Sequence, residues 1–330
     1  MIRLAVLGAA HAHARYALEE AARRDDVTLA AVAEADPAAR AAHLAGADGV
    51  PTYDDPRRLL DRHDVDVAVI AGVYAHRADA AVAALDAGAH VLADKPLCTS
   101  LDQLDRIAAA AARSGRHVSV MFEKRFYPAT IAARRLLADG TLGRLAMVAS
   151  TGPHKLKLPS RPPWFLRRET YGGIAADLPV HDIDLVLTLS GATSGTVTAL
   201  TGNAGPEEHP EFDDHVAVLL RAGSVAASIE ASWLSPEAAD VHGHYRMRLT
   251  GTNGTAELDW AYDSLHVATH DRAPWSEPLP PGERPTAYFF DALAAGLEPE
   301  ITTAQSLLAT RVALLAQLSA DTGSAVQHFS

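Results

Sequence analysis

Over the first third of the chain, short apolar runs alternate with alanine-rich amphipathic segments. The runs Ile2–Leu7, Thr28–Ala33, Val67–Ala71, His90–Ala93 and His117–Met121 predict strands. Apart from Arg3, Thr28, His90, His117 and Ser119 they are apolar continuously rather than at every second position, which predicts a parallel sheet covered on both faces. Helical periodicity occupies His13–Arg24, Pro37–Ala45, Pro56–Asp61, Arg77–Asp86 and Leu101–Ser114, and Gly88 and Gly115 stand where helices are expected to end. Strand alternating with helix predicts right-handed βαβ units, hence an α/β Rossmann domain with a doubly wound parallel sheet.

After about residue 122 the rhythm changes. Helices are predicted at Ile131–Ala138 and Val180–Leu189, and closely spaced strands at Leu145–Ser150, Thr196–Gly202, Val216–Arg221, Val225–Trp233, Tyr245–Gly251, Thr255–Trp260 and Ser264–Thr269. Turn signals such as Ala222-Gly223 and Asn253-Gly254 link them, so this part reads as an α+β domain with a large, open, mostly antiparallel sheet. Pro274–Pro285 reads as a surface loop and Thr303–Thr322 as a closing helix. The predicted division is residues 1–122 and 123–330. A wide open sheet must hide its second face, which predicts a homodimer or homotetramer formed through it.

At 330 residues the chain exceeds the size at which one core keeps growing, in keeping with two domains. Its 29 basic and 41 acidic residues give a net charge of -12, which excludes a nucleic-acid binder needing a basic face. A small anion held by a local basic cluster is still allowed. The lone cysteine, Cys98, excludes an intrachain disulfide and predicts a reducing compartment. The first residues enter a strand-like run with no signal-peptide pattern, and no apolar stretch approaches the roughly 18 residues of a membrane-spanning helix. The expected location is the cytoplasm.

The first βα turn reads Gly8-Ala9-Ala10-His11-Ala12-His13. A dinucleotide fingerprint carries three glycines here; Gly8 alone survives, although Ala10 is small enough for close approach to a pyrophosphate. His11 is placed to reach the pyrophosphate or nicotinamide side. Glu34 ends the second strand, where an acid accepts hydrogen bonds from ribose hydroxyls and repels a 2′-phosphate, favouring NAD over NADP. Asp36, before Pro37, reads as a helix N-cap. The pairs His11/His13 and His242/His244 have zinc-like spacing, but no acid or cysteine lies nearby in sequence to complete either, so no metal is expected.

Lys95, in Asp94-Lys95-Pro96, ends the fourth major strand, at the edge where open α/β sheets bind ligands. Gly172-Gly173 leads into Asp177, His181 and Asp184. With a helix starting near Asp177, Asp177 and His181 lie four apart on one face and Asp184 is placed to orient the imidazole. The alternative is that Asp177 is an N-cap and His181 a core residue. The basic stretch 154–168, with Lys155, Trp164, Arg167 and Arg168, either binds an anionic group or is a solvated or subunit-packed arm.

This combination resembles the glucose–fructose oxidoreductase, inositol dehydrogenase and rhizopine-catabolism (Gfo/Idh/MocA) family over almost the whole chain. His76, the Arg125-Phe126 and Pro128 run and Leu249–Thr255 add to the likeness. The chain departs from the family in having Asp94 where glutamate is usual, one fingerprint glycine, and no proline near Val73. The resemblance implies NAD, less readily NADP, as cofactor and a sugar, inositol or related polyol as substrate. It further implies Lys95, Asp177 and His181 as the catalytic set and a cis peptide at Lys95–Pro96. Cofactor contacts are expected from Gly8, Ala10, His11, Glu34, Tyr74, His76 and Lys95. Substrate contacts are expected from Lys95, Arg125, Lys155, Trp164, Asp177 and His181. An NAD-using glycoside hydrolase and a non-catalytic NAD-binding regulator are the alternative functions.

Overall fold

A computed structural model describes residues 1–47, 49–205 and 207–330, and the chain divides into two compact units. The first holds Met1–Met121 together with Glu169–Gly172 and Arg284–Thr310. Its strands are β1 (Ile2–Leu7), β2 (Val27–Ala33), β3 (Thr52–Tyr53), β4 (Val67–Ile70), β5 (His90–Ala93) and β6 (Val118–Val120). They form a parallel sheet in the order β3-β2-β1-β4-β5-β6, the doubly wound arrangement whose direction of growth reverses between β1 and β4. Leu4, Val6, Val67, Val69 and Leu92 are fully buried, as the unbroken apolar runs require.

The change of rhythm at residue 122 does not reveal that the chain comes back to this sheet. Phe289 and Phe290, on the helix Ala287–Ala294, are buried in the same core as Leu4 and Val69. On the edge strand β6, the amides of Val118 and Val120 donate to the hydroxyls of Thr303 (3.0 Å) and Ser306 (3.1 Å). Ser119 Oγ donates to Ile301 O at 2.9 Å and lies 2.7 Å from the Tyr288 hydroxyl. An edge that would otherwise present unpaired backbone groups is thus closed by the returning segment.

The second unit holds Phe122–Arg168, Gly173–Glu283 and Arg311–Ser330. Its strands are β7 (Leu145–Pro153), β8 (Gly195–Gly202), β9 (His215–Ala222), β10 (Val225–Ser232), β11 (Arg246–Gly251), β12 (Gly254–Asp259), β13 (Ser264–Thr269), β14 (Trp275–Ser276) and β15 (Gln327–Phe329). They join in the order β14-β13-β12-β11-β7-β10-β9-β8-β15, antiparallel throughout except for the parallel pair β7/β10. The short edge strand β14 falls inside the stretch read as a proline-rich loop. Burial alternates along β9 and β10: Val216, Val218, Leu220, Val225, Ala227 and Ile229 face the helices. On the other face Leu200, Leu219 and Met147 are 56–64% exposed. Among the described residues no helix is long and apolar enough to cross a membrane.

Candidate active site

In the first unit the site is built around the loop after β1. Gly8 has φ +85°, and a Cβ there would stand 2.6 Å from Gly72 Cα and 2.9 Å from Gly72 N. The loops following β1 and β4 therefore touch backbone to backbone, and only glycine allows it. Ala9 N donates to Glu34 Oε2 (2.6 Å), His43 Nδ1 lies 2.6 Å from Ala9 O, and Asp36 N donates to Glu34 Oε1 (2.9 Å). Glu34 thus ties the glycine turn to the start of the helix Pro37–His43, which Asp36 caps through Ala38 N (2.9 Å). A cleft of about 160 Å³ opens here, lined by Gly8, Glu34, Asp54, Gly72, Val73 and His76 among others. Ala10, half-buried, lies on the same turn.

Asp94, Lys95 and Pro96 follow β5, with the Lys95–Pro96 peptide cis and Lys95 only 6% exposed. A residue the sequence reading passed over holds this run in place. Arg77, fully buried, donates to Gly72 O (2.8 Å), Asp94 O (3.0 Å), Pro96 O (2.8 Å) and Asp94 Oδ2 (2.9 Å). Its guanidinium lies 4.3 Å over the ring of buried Tyr74, which stacks on Tyr171 at 5.8 Å. The signal for Arg77 was present in the pattern: it shares a helix face with Ala81, Ala84 and Leu85, all buried.

The fold also supplies what sequence proximity did not, an acidic partner for His11 and His13. His13 Nδ1 lies 2.8 Å from Asp94 Oδ1 and His11 Nδ1 2.9 Å from Asp94 Oδ2. Burial opposes a charge on Asp94, but His11, His13 and Arg77 outweigh it and hold the carboxyl well below the usual range. Burial pushes His11 down to about 4, against the pull of Asp94. Among the described residues this is the group of three that could hold a metal ion. However, two donors on a tetrahedral zinc with bonds of about 2.0–2.1 Å stand about 3.3 Å apart. Contacts of 2.8–2.9 Å, in which His13 and Arg77 make hydrogen bonds to Asp94 and His11 Nδ1 approaches Asp94 Oδ2 as an ion-pair neighbour, are closer than two zinc ligands would stand. The other pair separates: His242 meets His154 (5.5 Å between ring centroids) and His244 meets Tyr262 (5.6 Å).

In the second unit Gly173, at φ +108°, leaves no room for a Cβ beside Gln317, whose Oε1 accepts from Ala175 N at 3.0 Å. Asp177, wholly buried, ends the one-turn helix Ile174–Asp177, and His181 belongs to the next helix, Val180–Ser190. This corrects the single helix expected from Asp177 onward. Leu178 and Pro179 keep αR backbone angles and the bonds Leu178 N to Ile174 O and Ile183 N to Pro179 O are made, so the helical path persists across the break.

Three consecutive charged residues on the 3-10 turn Glu123–Phe126 face this helix. Glu123 Oε1 lies 3.5 Å from His181 Nε2. Lys124 Nζ donates to both oxygens of Asp182 (2.9 and 3.0 Å), which also accepts from Ser150 Oγ (2.7 Å). Arg125 donates to Asp184 at 2.7 and 2.5 Å. Asp184 therefore does not orient His181, as expected from sequence; it neutralises buried Arg125, and burial pushes its own carboxyl up despite that partner. Arg125, expected to touch substrate, is committed to this buried pair. A residue that sequence reasoning missed, Glu123, faces the imidazole.

The basic stretch is likewise occupied. Lys155 Nζ donates to Ala239 O, Arg161 stacks 4.4 Å over Phe165 and 4.7 Å over Trp233, and Arg168 pairs with Asp213 and Asp321. Trp164 is half-buried against Phe165 (5.6 Å).

The family model described as "Oxidoreductase family, NAD-binding Rossmann fold" matches residues 2–122, and the "GFO/IDH/MocA C-terminal domain" model matches residues 130–257. The chain belongs to the GFO/IDH/MocA family of oxidoreductases. It is 31% identical over 232 residues to inositol 2-dehydrogenase 2 of Saccharopolyspora erythraea, a match spanning 70% of this chain and 65% of that relative, just under two thirds of its length. It is 32% identical over 275 residues to a protein of Amycolatopsis mediterranei assigned as the oxidoreductase subunit of UDP-kanosamine synthase, covering 78% of this chain and 75% of that one. A levoglucosan dehydrogenase solved with NADH and levoglucosan superposes with a TM-score of 0.83 over 99% of each chain, at 21% identity. As a family member the chain carries an NAD-binding Rossmann fold, and its own residues suit that cofactor. The backbone contact at Gly8 and Gly72 keeps the turn open to a pyrophosphate, and Glu34 and Asp54 line the cleft with acids that disfavour a 2′-phosphate.

Proposed function

We propose that the protein is an NAD-dependent dehydrogenase or reductase acting on CH–OH groups, with a sugar, inositol or related polyol as substrate. The observation that carries this reading is the burial of three ionisable groups, Lys95, Asp177 and His181, exposed by 6%, 0% and 4%, in a member of this family. Ionisable groups are rarely kept out of water without a task.

NAD, when bound, supplies the hydride acceptor. His181 takes the proton of the reacting hydroxyl, or returns it in the reductive direction; imidazole suits this because its ordinary pKa lies near neutral pH. Lys95 brings positive charge to the oxygen as it becomes an alkoxide. Asp177 accepts from a neighbouring hydroxyl and fixes the ring's orientation. With Lys155, Arg161 and Arg168 engaged elsewhere, a neutral polyol fits better than an acidic or phosphorylated one. The single cysteine, buried, suits a reducing compartment such as the cytoplasm. The exposed apolar positions on the open sheet support pairing between copies of the chain.

His181→Ala and Lys95→Ala should each lower kcat by about 10²–10⁴-fold, while NADH affinity, read by fluorescence titration, changes less than about threefold, a difference of under roughly 1 kcal/mol. A screen of neutral polyols and sugars by nicotinamide absorbance supplies the substrate. Near-normal turnover in either variant would end the proposal.

A further inference from the structure

We propose that Glu123 is the positioning residue of His181, its carboxylate raising the proton affinity of the imidazole. The proposal rests on the reading of His181 as the proton acceptor.

The side chain of Glu123 is only 12% exposed. Its Oε1 faces His181 Nε2 at 3.5 Å, and its Oε2 is buried with no hydrogen-bond partner among the described residues. A buried carboxylate oxygen without a donor is costly, and the cost falls when a positive charge forms beside it. His181 becomes that charge when it accepts a proton.

The other charges around the imidazole are largely spoken for. On its own helix, Asp182 is neutralised by Lys124 and Asp184 by Arg125. The strands packed against this helix turn neutral residues toward it: Val148, Ser150 and Gly152 from β7, Val216, Val218 and Leu220 from β9, Ala227, Ile229 and Ala231 from β10. Phe122 gives an aromatic edge at 6.1 Å. Asp177, on the preceding turn, is the second carboxyl of the neighbourhood, and Tyr245, whose phenol is pushed well up by burial and then by Glu123, is a neutral neighbour. Glu123 is thus a carboxylate within 3.5 Å of the ring, on the residue that precedes the Lys124 and Arg125 pairs.

The consequence is differential. Opposite a neutral imidazole the 3.5 Å contact contributes little; opposite an imidazolium it becomes a poorly solvated ion pair. In the oxidative direction the hydroxyl proton moves to the imidazole and the resulting charge falls beside Glu123. An opposite charge this close moves a pKa by about 1–3 units.

The test needs no substrate. In protein labelled with 13C at the histidine Cε1, the His181 resonance is assigned as the one lost in His181→Ala and is titrated by NMR. In Glu123→Gln, which keeps size and fold, its pKa should fall by about one unit or more, and Glu123→Asp should restore part of the shift. Thermal denaturation confirms that the variants are folded. A His181 pKa unchanged between wild type and Glu123→Gln overturns the proposal. This outcome is separable from failure of the catalytic reading, which would appear instead as full turnover in His181→Ala.

Discussion

Replacing Arg77 with leucine tests what holds the Lys95 segment in place. Arg77 is wholly buried and makes four hydrogen bonds, three to the carbonyls of Gly72, Asp94 and Pro96 and one to the Asp94 carboxylate. Leucine roughly conserves the apolar volume but removes every Arg77 donor, leaving the buried Asp94 carboxylate with the His11 and His13 imidazoles and no guanidinium. Breaking a buried pair from one side typically costs about 3–5 kcal/mol, a large share of the 5–15 kcal/mol that stabilises an ordinary domain. Urea denaturation followed by circular dichroism should show a loss of about that size for Arg77→Leu. The double variant Arg77→Leu/Asp94→Asn should recover part of it, because no uncompensated charge is then buried. If Arg77→Leu lost under about 1 kcal/mol, the level of a surface pair, or if the two changes were simply additive, the clamp would be no more than a contact.

Two further outcomes follow from other features. The pKa of His11 is lowered from 6.5 to about 4, so the unfolded chain binds this proton first as pH falls. Stability is therefore complete above pH 6.5 and lost as pH drops toward 4, by about 3 kcal/mol for 2.5 units, and His11→Gln should flatten the dependence of melting temperature on pH in that window. A slope unchanged by the substitution would remove His11 as its source. On the open sheet, Leu219→Glu with Met147→Glu should convert an oligomer to monomer by light scattering at micromolar concentration; a wild type already monomeric there would refute pairing through this face.

The sequence carried the parallel, doubly wound character of the first sheet and five of its six strands because those are largely apolar runs, missing only the two-residue β3, and it located the Asp36 cap and the Gly8 turn because Asx-Pro and glycine have local meanings. What it could not carry were contacts between distant positions. Asp94 for glutamate, and histidines where the fingerprint has glycine or other residues, looked like independent departures; in the fold they touch, the shorter acid meeting the two imidazoles. Glu123-Lys124-Arg125 stood between buried phenylalanines, a pattern that demands partners, but periodicity cannot say that those partners are His181, Asp182 and Asp184. Assigning Asp184 to His181 followed from helical spacing alone and failed because Arg125, 59 positions away, claims it.

The return of residues 284–310 to the first sheet bears on how this protein can be dissected. A nucleotide-binding fragment cut at residue 122 would keep all six parallel strands but lose Phe289 and Phe290 from its interior and the hydroxyl groups of Thr303 and Ser306 from its outermost strand. Such a piece would be sticky along β6 and hollow beneath β1 and β4. Supplying 284–310 as a separate peptide, or splicing it behind residue 121 through a short linker, is the cut that respects how the chain is threaded. The N- and C-terminal halves of the gene are not the halves of the molecule.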